Sequence, residues 1–115
     1  MATVLTYMDL TTETGSQLFH GCDHGDVEVS FFINHSPPGR GPGPHRHPYP
    51  EVFVLQDGEA TFEVDGERIE AAAGRVIVVP AGAVHGFTNT GSEPLEMVSI
   101  HPVATMETEW VEPGA

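Results

Sequence analysis

Lysine is absent from this 115-residue chain, cysteine occurs once, and no apolar run approaches the length of a membrane span. Without lysine there is no amine to form a Schiff base and none to steady a phosphate. A single cysteine, Cys22, excludes an intrachain disulfide. The first twenty residues lack a basic stretch followed by a continuous apolar one, so no secretory signal is expected and the chain reads as cytoplasmic. Positive charge is scarce as well: four arginines stand against seventeen acidic residues, for a net charge of −13. Such a surface repels phosphate backbones and anionic headgroups, so neither nucleic acid nor membrane is an expected partner. Helical periodicity is nearly missing too.

What the chain has is turn chemistry, with 13 glycines and 10 prolines. The length suits one domain over residues 1–115, and the composition suits an all-β fold of short strands. Strands are expected at Val27–Asn34, Glu51–Gln56, Glu59–Val64, Glu67–Ala71, Val76–Val79, Val84–Asn89 and Leu95–Ile100, with weaker signals around Val4 and Leu18. Asp57-Gly58 and Asp65-Gly66 read as two-residue hairpin turns that would join three consecutive strands into a meander. Ser36–Pro50 is too dense in proline and glycine for a central strand, and is expected as an ordered loop or edge segment.

That segment carries the chemistry. His45 and His47 are two residues apart, so on extended backbone both imidazoles point to one side, with Cα atoms roughly 7 Å apart. Glu51 follows at an even interval and should face inward with Phe53 and Leu55. His85, on a distant strand, joins them only if the sheet curls back on itself. Three imidazoles and a carboxylate suit Fe, Mn, Ni, Cu or Zn better than Ca or Mg. His20, Cys22 and His24, by contrast, read as part of a polar loop rather than a second metal site.

The spacing Gly39-x5-His45-x-His47-x3-Glu51-x6-Gly58 resembles the first cupin motif, and Gly74-x5-Pro80-x-Gly82-x2-His85-x3-Asn89 resembles the second. All ten fixed positions are filled, across residues 39–58 and 74–89. The resemblance implies a small double-stranded β-helix, a jelly-roll-like barrel. It also implies one divalent transition metal held by His45, His47, Glu51 and His85, and a homodimer. Asn89 is expected to cap a turn, not to touch the metal.

A metal with open positions can polarise a substrate oxygen, activate water or bring dioxygen to a substrate. Glu51 sets the chain apart from cupin thiol dioxygenases, which resemble three-histidine sites, and the lack of lysine makes phosphorylated substrates unattractive. The flavonol and diketone dioxygenases are the nearer resemblance, with Glu51 as ligand and general base. The expected function is therefore a metal-dependent enzyme acting on a small organic molecule, with dioxygenase chemistry on an enolisable or aromatic substrate in first place. A non-redox isomerase, cyclase or lyase is the alternative, and a non-catalytic ligand-binding barrel a further one. Phe53 and Phe87 share parity with Glu51 and His85 and are candidates for the cavity wall. His101, in register with Met97 and Ser99, is a candidate acid/base or outer-sphere group.

Overall fold

The computed structural model describes residues 2–112. Short runs of alternating burial separated by turn residues give ten strands in two antiparallel sheets. The strands are β1 (Gln17–His20), β2 (Ser30–Ser36), β3 (His45–Arg46), β4 (Glu51–Asp57), β5 (Glu59–Val64), β6 (Glu67–Ala72), β7 (Val76–Val79), β8 (His85–Thr88), β9 (Leu95–His101) and β10 (Glu109–Trp110). The first sheet runs β1-β2-β9-β4-β7 and the second β10-β3-β8-β5-β6. A single helical turn, α1 (Tyr7–Leu10), precedes them, started by a capping box in which Thr6 and Asp9 exchange hydrogen bonds. No helix among the described residues is long and apolar enough to cross a membrane.

The expected meander is half right. Asp65 and Gly66 both have positive φ, 47° and 83°, and join β5 to β6 as a hairpin with Val64 opposite Glu67. Asp57-Gly58 does something else. β4 pairs with β7 and β9, while β5 pairs with β6 and β8, so this dipeptide carries the chain from one sheet to the other. Gly58 has φ 89°, and a Cβ there would stand 2.7 Å from the Pro94 carbonyl oxygen; only glycine fits the corner.

Inward residues of the two sheets meet in an apolar core. Phe53, Phe62 and Phe87 form its centre, with ring centroids 5.0 to 5.9 Å apart, and Leu55, Leu95 and Met97 close it below. The outward face of the first sheet is apolar as well. Register aligns Val78, Val52, Ile100, Phe31 and Phe19 in one row across five strands, and Val76, Val54, Val98, Ile33 and Gln17 in the next. Asn89 is buried and ties the Ser36–Glu93 region together: its amide donates to the Ser36 and Glu93 carbonyls, and its oxygen accepts from the Gly91 N–H. That is the turn-fixing role expected of it.

Candidate metal centre

Barrel closure brings the four expected ligands together. β3 supplies His45, directly opposite His85 of β8 in the second sheet, His47 follows one residue after β3 ends, and Glu51 opens β4 in the first sheet. One ligand atom from each of His45, His47, Glu51 and His85 lies within 4.8 Å of every other, and all four residues are buried.

The hydrogen bonds at the back of each ring decide what faces forward. His45 Nδ1 lies 2.8 Å from the Gly43 carbonyl oxygen, His47 Nδ1 2.7 Å from that of Glu107, and His85 Nδ1 2.9 Å from that of Ala83. A carbonyl oxygen only accepts, so each Nδ1 must donate. In the neutral ring each Nε2 then presents a lone pair. Glu51 Oε1 lies 2.9 Å from His85 Nε2, a hydrogen bond whenever that nitrogen carries a proton, and 3.1 Å from His47 Nε2. His47 Nε2 is buried without a hydrogen-bond partner, since its approach to Glu51 lies outside hydrogen-bonding geometry. Where the rings are neutral these nitrogens face Glu51 Oε1 acceptor to acceptor, and a buried orphan such as His47 Nε2 is costly. A cation resolves both faults. The donor set therefore fits one divalent transition metal.

Electrostatics follow the same layout. Burial alone would push the Glu51 carboxyl up, but the imidazoles of His101, His47 and His85 outweigh it and hold the group well below the usual carboxylate range. Burial lowers the basicity of His45. At His47 burial acts the same way, but the Glu51 carboxylate and the Glu107 carbonyl raise it more.

His101 also stands in the centre, 2% exposed, with Nε2 3.1 Å from Glu51 Oε2. Phe53 and Phe87 belong to the apolar core, Phe53 with its ring edge-on to His85 at 6.1 Å. Sequence reasoning missed two participants. Tyr49 is buried, with its hydroxyl 2.8 Å from His101 Nδ1, and burial raises its pKa. Its even spacing from His47 and Glu51 was the available signal. The segment through β10 is the other: beyond the Glu107 carbonyl, it packs Trp110 4.9 Å from the His45 ring and pairs with β3 through Arg46 and Glu109. A cleft of about 400 Å³ bordered by Arg46, His47, Pro48, Gly82 and Glu107–Glu109 lies against this segment.

Residues 32–101 match the family described as Cupin domain. The dimethylsulfoniopropionate lyase DddW of Ruegeria pomeroyi is 32% identical over 78 residues, covering 68% of this chain and 51% of that protein. The chain thus spans about half the length of this curated relative. Among solved structures, a double-stranded beta-helix protein from Klebsiella pneumoniae superimposes with a TM-score of 0.75 at 19% identity, over 97% of this chain and 99% of that one. A Bacillus subtilis oxalate decarboxylase, described by its Mn(II) centres, gives a TM-score of 0.72 at 22% identity, over 84% of this chain and 27% of that one.

Proposed function

This chain belongs to the cupin domain family, and on that premise we propose that it is a metal-dependent enzyme acting on a small organic acid or other enolisable molecule. The observation that carries the reading is that one atom from each of three buried imidazoles and a carboxylate lies within 4.8 Å of every other, with each Nδ1 already engaged by a backbone carbonyl. When bound, the metal supplies a Lewis acid that polarises a substrate carboxylate or carbonyl oxygen. The chain's own residues do the rest. His45, His47 and His85 are held by backbone carbonyls in the ligating tautomer, so the site is organised before substrate arrives. Glu51 can act as a general base only by exchanging a partner, because one of its oxygens faces His47 and His85 and the other faces His101. Burial of all four ligands keeps bulk water away from the reacting atoms. Phe53 and Phe87 form an apolar floor beneath them.

Between the two chemistries, the sequence relative favours redox-neutral bond cleavage, because its name is that of a lyase. The dioxygenase is the second reading, favoured by the mixed nitrogen and oxygen ligand set. The test is turnover of a panel of small carboxylates and diketones by protein loaded with Mn(II), Fe(II) or Zn(II), with and without oxygen. Conversion that persists anaerobically supports the lyase. Conversion that consumes oxygen supports the dioxygenase, and tight ligand binding without turnover under any metal would overturn both.

We propose as well that two copies pair through the outer face of the first sheet. Nine of the ten residues in its two cross-strand rows are apolar, and Val76 and Val78 are 60% and 64% exposed. The rows carry no charge on a chain of net charge −13, so a second copy of the same face is the partner they suit. Light scattering should give twice the monomer mass, and Val78→Glu should return the protein to a monomer.

A further inference from the structure

The fifth polar group of the site, His101, differs from the three ligand imidazoles in what its Nδ1 meets: the Tyr49 hydroxyl instead of a backbone carbonyl. Around Tyr49 the hydrogen-bond directions can be followed from a fixed end. The Glu107 N–H can only donate, and it reaches the Tyr49 oxygen at 3.2 Å. The single phenolic proton then has two possible acceptors: His101 Nδ1 at 2.8 Å and the Glu107 carbonyl oxygen at 3.3 Å. The shorter contact takes it. Were the proton to go to Glu107 instead, His101 Nδ1 would have to donate to Tyr49, and in the neutral ring Nε2 would then turn a lone pair toward Glu51 Oε2 only 3.1 Å away. That arrangement sets two buried acceptors against each other.

We infer that His101 is a positioning residue, held by Tyr49 as the Nε2–H tautomer, that donates to Glu51 Oε2 and leaves Oε1 alone for the metal. It is the reverse of the tautomer fixed by carbonyls at His45, His47 and His85. One carboxylate would thus have two unlike ends: Oε1, which faces His47 and His85 of the ligand set, and Oε2, which faces His101 alone. Glu51 would then hold a metal through one oxygen, and the position that a bidentate carboxylate would occupy would stay open for substrate. His101 cannot itself ligate in this state, because its Nε2 bears the proton. The inference rests on the four-ligand reading of the site and is independent of the reaction.

The test uses the full chain, ¹⁵N-labelled and loaded with Zn(II), with imidazole tautomers read from long-range ¹⁵N–¹H correlations. Three rings should be protonated at Nδ1 and ligated at Nε2, and the His101 ring protonated at Nε2. In competition with a chromogenic chelator, His101→Leu should lower Zn(II) affinity about 10- to 100-fold, the usual cost of losing an outer partner. His101→Gln, which keeps an N–H donor of similar reach, should recover most of that loss. Tyr49→Phe should shift the His101 signals while the circular dichroism spectrum stays folded. A His101 ring protonated at Nδ1 and ligated at Nε2 would make it a fifth ligand and overturn the inference. Unchanged affinity in His101→Leu would overturn it too. Failure of the unsubstituted chain to bind Zn(II) would sink the four-ligand reading along with it.

Discussion

The two ends of the barrel are built on the same strands and do opposite things. Along β4 the inward residues run Glu51, Phe53, Leu55; along β8, His85 then Phe87; along β9, His101, Ser99, Met97, Leu95. At one end every inward group can bind a proton or a metal. At the other the inward side chains Phe53, Leu55, Phe87, Met97 and Leu95 are apolar. Alternation decides which residues face in, and the change of residue type along each strand decides what the interior is for. The hydrocarbon end supplies burial that favours folding, whereas the polar end sequesters a carboxylate and four imidazoles and is offset only by partners or an ion.

The sharpest way to break this division is at the apolar end. Phe62 is fully buried against Phe53 and Phe87, and Phe62→Ala should cost about 3–5 kcal/mol in denaturant unfolding. Below its melting temperature the variant should still bind one metal per chain; loss of metal from the folded variant would mean the ends are coupled. At the polar end, His85→Ala should weaken metal binding by more than the roughly 100-fold that loss of an outer partner costs. His35→Ala should leave metal content unchanged, because His35 is engaged with Glu96 and Gln17 away from the site. Equal metal content in the two variants would reverse the assignment.

Acidification should separate the ends in time. Ligating imidazoles compete with protons, so metal affinity should fall progressively as the solution is acidified. The Glu51 carboxyl is held below its ordinary value in the folded chain, so the stability it contributes is present above about 4.3 and drains only below that. Metal analysis and circular dichroism across one titration should show metal lost first and the fold later. The smallest effect is expected on the rim, where Arg46 and Glu109 are exposed: Arg46→Ala should leave the melting midpoint unchanged within error.

The polar end was the more legible of the two from sequence. His45, His47 and Glu51 share parity within seven residues, and His85 follows a Pro-x-Gly turn, so fixed spacing carried the ligand set. His101 was legible through its register with Ser99 and Met97. Tyr49 was not, because Pro48 and Pro50 on either side obscured the register that places it beside His47. β3 and β10 are two residues each, too short for any periodicity, and exist because they pair with each other and close over the site. Asp57-Gly58 was misread because a hairpin and a sheet-to-sheet corner ask for the same local chemistry, and only the distant pairing of β4 with β7 and β9, and of β5 with β6 and β8, distinguishes them.

The acceptors that lock the ligand rings are main-chain oxygens of Gly43, Ala83 and Glu107. Every amino acid carries such an oxygen, so mutation at these positions can alter the side chain without erasing the contact. The loops are free to drift in composition while the centre they orient is inherited intact, provided the chain keeps its path.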